Sequence, residues 1–147
     1  MKEFRNRPKG EFLMNAKWEE LYALTQHWIS DLEFYREDND FLNRLVDKYF
    51  IWINDERNIA SVRGIQDNLR RTRIKCRDLL DKTQKHLNQI GSLIEEDNGE
   101  SRIFRLEHEH LEGEIADFVK RFRENRREVF KITEYIVENE QLSDFLK

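Results

Sequence analysis

The sequence predicts an all-α fold: an antiparallel four-helix bundle of up-down-up-down topology, whose last two helices are long and form a coiled-coil-like hairpin. Three observations predict it. Only 5 Gly and 1 Pro occur in 147 residues, too few to supply the tight turns that sheets need. Charged residues make up 38% of the chain, yet a 38% hydrophobic fraction with three Trp, four Tyr and ten Phe supplies a core that disordered chains lack. Beyond residue 15, apolar residues recur at steps of three and four, the period of a helix with one buried face.

Residues 1–15 hold the only Pro and show no sustained period, and are expected to be a flexible N-terminal tail; 16–147 form a single helical-bundle domain. From residue 16 to about 38, Trp18, Leu21, Tyr22, Thr25, Trp28, Ile29, Leu32 and Tyr35 mark the buried stripe of a first helix. Asp38-Asn39-Asp40 reads as a corner, because Asp and Asn side chains accept hydrogen bonds from the free N–H groups of a following helix. Phe41, Leu42, Leu45, Val46, Tyr49, Phe50, Trp52 and Ile53 then form a short second helix. A second corner falls at 54–58; the alternative is that this helix continues to Arg63 and bends at Gly64.

The third helix, about 58–96, has two seven-residue seams. Val62, Leu69, Cys76, Thr83 and Ile90 make one; Ile65, Thr72, Leu79, His86 and Leu93 make the other. Gly99 can end a helix in the left-handed conformation and Ser101 can cap the next. The fourth helix, to about 140, repeats the pattern with His108, Ile115, Phe122, Val129 and Ile136 beside Phe104, Leu111, Phe118, Asn125 and Ile132. In a hairpin closing near 98–99, residues whose numbers total about 197 lie side by side. Thr72 then faces Asn125, a polar layer of the kind that fixes register, and His86 lies level with the His108–Leu111 turn.

At about 1.5 Å per residue the two long helices overhang the short pair by about 30 Å. The stripe left uncovered, including Leu80, Leu87, Ile94, Leu111, Ile115 and Phe118, predicts an interface and hence a homodimer or another protein partner.

Two clusters carry possible chemistry. His86, His108 and Glu112 are placed to converge on one zinc or iron ion, since His108 and Glu112 are one helical turn apart. The second Glu-x-x-His and the inward Glu residues of a ferritin-like site are absent from the pattern, as are the His-x-x-x-His and distal His and Asp of a hemerythrin-type site, although His27 with His108 and Glu112 has a superficial likeness to the latter. A partly buried histidine bonded to Glu112 is the structural alternative. The other cluster is a basic band, Arg70, Arg73 and Arg77 with Arg123, Arg126 and Arg127, dense enough to attract a polyanion. The residues between 58 and 96 include no Phe, Tyr or Trp on which bases could stack, so nucleic acid is not the expected partner, and acidic groups of the first two helices or of another subunit are the alternative one. Cys76 is expected to be a small core residue, and the N-terminal aromatics to be core rather than a ligand pocket.

No Gly-rich phosphate loop, Ser/His/Asp set or Cys-x-x-Cys occurs, which points away from an enzyme and to no resident cofactor. Phe50-Ile51-Trp52-Ile53, the Leu106–Ile115 segment and Arg127-Glu128-Val129-Phe130-Lys131-Ile132-Thr133-Glu134 resemble small all-helical bacterial proteins of no known activity. That resemblance implies a helical fold and assigns no site residue. One cysteine, no apolar leader and no apolar run of membrane length predict a cytoplasmic protein without membrane contact. The net charge of −4 averages opposed blocks: residues 70–77 carry +5, 95–117 carry −7 and 120–131 carry +4.

Overall fold

A computed structural model describes residues 16–51, 53, 56–95 and 101–139, with side chains at 93–95, 101 and 139 excepted. The expected tail at 1–15 and the Gly99 turn lie outside these residues. Among those described there are three helices and no strand: α1 (Trp18–Phe50), α2 (Glu56–Glu95) and α3 (Ser101–Asn139). The all-α class is therefore right and the helix count is not. The expected first and second helices are one helix of 33 residues.

The error lies at Asp38-Asn39-Asp40, where a local corner signal meets stronger long-range contacts. Asn39 is buried at 1% exposure, and its Nδ2 donates to the Leu69 carbonyl of α2 at 3.0 Å. Its neighbours point to opposite shoulders of α1, being two residues and hence about 200° apart. Asp38 pairs with Arg126 of α3 at 3.2 Å, and Asp40 meets Arg73 of α2 at 4.0 Å. Asp and Asn inside a helix cost about 0.7 kcal/mol each relative to Ala. A buried hydrogen bond, two flanking ion pairs and the burial of Tyr35, Leu42 and Val46 on either side offset that cost.

Hydrogen bonds give the helix directions. Asn39 bonds at the level of Leu69 and Gln66 Nε2 donates to Asp47 at 2.9 Å, so α1 and α2 are antiparallel. Asn125 Nδ2 donates to Thr72 Oγ1 at 2.6 Å, the predicted polar layer at the predicted register, so α2 and α3 are also antiparallel. The connection between α1 and α2 falls at 51–55, close to the expected second corner, and α2 runs unbent through Gly64.

The Val62 seam of α2 and the His108 seam of α3 form the core. Val62, Leu69, Cys76, Ile90, Ile115, Phe122, Val129 and Ile136 are all at most 2% exposed. Thr25 and Thr72, polar groups at buried seam positions, satisfy their hydroxyls by donating to the carbonyl four residues back, at 2.7 and 2.8 Å. A smaller cluster, Ala16, Leu21, Ile90 and Phe104, closes the end of the bundle nearest the α2–α3 connection. There Arg105 donates to the Ala16 carbonyl at 2.7 Å and lies over the Trp18 ring at 4.2 Å.

At about 50 Å, α1 nearly matches the 60 Å of α2 and 58 Å of α3. The 30 Å overhang does not exist, and the interface built on it is overturned. Leu87, Leu111, Ile115 and Phe118 lie in this chain's own interior at 9%, 5%, 0% and 3% exposure; Leu80 is half-buried against the same core, and the Ile94 side chain lies outside the described residues.

Candidate functional site

Between the main core and the small end cluster lies a layer of rings drawn from all three helices. His86 Nε2 and His108 Nδ1 are 2.7 Å apart, a buried hydrogen bond between α2 and α3. Phe104 stacks on the free face of His86 at 4.2 Å and 7°, and Trp28 of α1 on His108 at 4.6 Å and 27°. Seam spacing explains the placement: His86 and His108 occupy positions that would otherwise hold Leu or Ile. One ring must donate and the other accept, so both cannot be imidazolium. Burial pushes the His86 pKa down to about 4. Glu112, one turn beyond His108, is also buried, at 1% exposure.

His86 and His108 thus meet at the level that the hairpin register predicts. Their geometry, however, joins the two imidazoles to each other. Ligating nitrogens sit about 2.0–2.1 Å from zinc, and two of them on one tetrahedral ion stand about 3.3 Å apart, wider than the spacing here. Among the described residues no group of three His, Cys, Asp or Glu is arranged to hold a metal ion. His27 is exposed and lies 3.5 Å from Asp31 on its own helix.

The basic band divides in two. Arg73 reaches Asp40 and Arg126 reaches Asp38, on opposite shoulders of α1. Arg70 is held by Asp67, and the Arg126 guanidinium also covers the Phe130 ring at 4.8 Å. Arg77 lies on α2, and Arg123 and Arg127 lie on α3. Acidic groups of α1 are what Arg73 and Arg126 meet. Cys76 is buried, with Sγ donating to the Leu32 carbonyl at 3.2 Å, and burial raises its pKa to about 11, the opposite of an activated nucleophile. Trp28 and Tyr35 are core residues, as expected of an aromatic stripe.

What sequence reasoning missed is the outer face of the α2–α3 hairpin, which α1 leaves open. Three hollows follow one another along it. The largest, about 740 Å³, lies between Gly64 and Tyr135; one of about 230 Å³ lies between Thr72 and Phe118; one of about 580 Å³ lies between His86 and Leu106 near the far end. Ile103, Leu106 and Tyr135 are 63%, 50% and 49% exposed there. In the middle, Lys75 and Lys82 of α2 both reach Glu114 of α3 at 3.2 Å. Burial alone would raise the Glu114 pKa, but these two hydrogen bonds outweigh it and hold the carboxyl below its ordinary value. The available signal was weak: Ile103 and Leu106 are apolar residues three apart that belong to neither seam.

No family model matches this chain, and no curated protein or solved structure shows significant similarity to it. No helix among the described residues is long and apolar enough to cross a membrane.

Proposed function

We propose that this protein is a non-enzymatic helical bundle that acts through protein–protein contacts made on its α2–α3 face. The observation that supports this reading is the line of hollows between α2 and α3, flanked by exposed Ile103, Leu106 and Tyr135. Three-helix packing buries the seams but leaves one inter-helix groove without a covering helix, and amphipathic helices dock in grooves of this kind. Apolar side chains at both ends with charged residues between them match the composition of contact surfaces rather than of a closed ligand cavity. Cys76, buried and with its pKa raised to about 11, is the opposite of an activated nucleophile.

A photo-crosslinking residue placed at Leu106 should yield protein adducts in cells, while the same residue at Glu37, on the outer side of α1, should yield few. Equal labelling at both positions, or none at Leu106, would contradict the reading. Stoichiometric zinc or iron in protein purified without chelators, lost in His108→Ala, would replace it by a metal-binding function for His86, His108 and Glu112.

A further inference from the structure

We infer that the occupant of the α2–α3 face is an amphipathic helix of a partner protein that carries a large apolar residue at each end of its docked stretch and an aspartate or glutamate midway between them. The inference rests on the contact reading above and specifies the partner.

Spacing carries the first part of the argument. The hollow between Gly64 and Tyr135, the one between Thr72 and Phe118 and the one between His86 and Leu106 follow in line along the groove. Taken over the residues that line both walls, consecutive centres are about 11 residues apart, or about 16 Å along the hairpin. In a helix, about 11 residues advance that same distance in about three turns, so residues i, i+11 and i+22 project from one face at the interval of the hollows. A helix laid in the groove as a fourth member of the bundle therefore presents one residue to each. An extended strand does not keep this phase: it covers 16 Å in about five residues, and an odd step turns the side chain to the opposite face.

Size and polarity decide what each position holds. The two end hollows are the large ones, about 740 and 580 Å³, with Ile65, Ile132 and Tyr135 around one and Ile103, Leu106 and Leu111 around the other. They take side chains such as Leu or Phe. The central hollow, about 230 Å³, is lined by Arg71, Lys75 and Arg121 against Glu114 and Asp117. Lys75 and Glu114 pair with each other, and among the described residues neither Arg71 nor Arg121 has an ion pair. Both are exposed. Asp117 offsets one of them, so the surplus charge is positive. At the ends the charges balance: Asp67 is held by Arg70 and Lys82 by Glu114, Glu128 stands with Lys131, and Glu107 with Lys85. A carboxylate on the docked helix is therefore favoured at one place, the centre, where an arginine on each wall can meet it. This pattern reads the same in both directions and so holds for either orientation of the helix.

Fluorescence anisotropy of a labelled, stapled 25-residue peptide titrated with the full chain at low salt tests this. The peptide carries Leu at positions 2 and 24, Glu at 13, Ala along the rest of that stripe and Gln elsewhere, with the staple on the opposite face to hold it helical. It should bind saturably at micromolar concentration. Lys at position 13, or Ala at positions 2 and 24, should each weaken binding about tenfold or more. In the Arg71→Glu, Arg121→Glu double variant the preference at position 13 should invert, Lys binding more tightly than Glu, while helicity and melting temperature confirm that the variant is folded. A groove that was merely apolar would give no inversion. No binding at 100 μM, indifference to position 13 or to the two Leu, or a preference for Glu that survives the charge reversal overturns the inference. Should the peptide fail while Leu106 crosslinks to a protein in cells, the contact reading survives with a second copy or a partner of another shape; no binding and no adduct at Leu106 removes both.

Discussion

Asn39 and its two acidic neighbours show how three adjacent residues serve three different contacts. The amide reaches inward to the Leu69 carbonyl, while Asp38 and Asp40 reach Arg126 and Arg73 to either side. Asn39→Asp should destabilise the protein by about 3 kcal/mol, because a buried carboxylate would replace the donor and face a carbonyl oxygen. Asp38→Ala and Asp40→Ala should cost less than about 1 kcal/mol each, as exposed ion pairs do. Urea denaturation measures all three. If Asn39 instead capped a helix, Asp would serve equally well there, so a neutral Asn39→Asp would contradict a continuous α1. His86 gives a second residue-scale expectation. Its folded pKa of about 4 lies below the ordinary histidine value of 6.5, so between these limits the unfolded chain binds the proton and the folded one does not. Stability is therefore complete above about pH 6.5 and falls as pH drops towards 4, by up to about 3 kcal/mol. His86→Gln, which keeps a hydrogen-bonding group but cannot titrate, should flatten that part of the curve in thermal melts; an unchanged slope would show that other groups account for it.

At the scale of the helices, what was legible in the sequence was whatever depends on period alone. All five residues of the Val62 seam and all five of the His108 seam are buried, because a helix packed along one face leaves those positions no alternative. The α2–α3 register was legible once the hairpin was closed near 98–99, down to the Thr72–Asn125 hydrogen bond and the meeting of His86 with His108. The break in α1 was misread because its signal is local and its resolution is not. Asp-Asn-Asp looks like a cap within a window of ten residues, whereas the groups that make it helical lie 30 and more residues away, at Leu69, Arg73 and Arg126. One local error then propagated: with a short first helix the hairpin seams have no cover, and core residues such as Ile115 and Phe118 pass for an interface.

For the molecule as a whole, an uninterrupted α1 decides which surface is left over. A 50 Å helix against a 60 Å hairpin buries the Val62 and His108 seams and moves any contact face to the opposite side, where Ile65 and Ile132 line the largest of the three hollows. The segregated charge blocks were visible in the sequence; that they line one groove depends on the helix count. Continuity of α1 is thus the premise of the docking face, and a distance settles it directly. Spin labels at Glu20 and Lys48, both exposed, in a Cys76→Ala background should be separated by about 42 Å plus the label arms in pulsed dipolar spectroscopy, 28 residues along one helix. A distribution centred below about 25 Å would mean that the chain folds back near residue 39, restoring the four-helix bundle and contradicting this account.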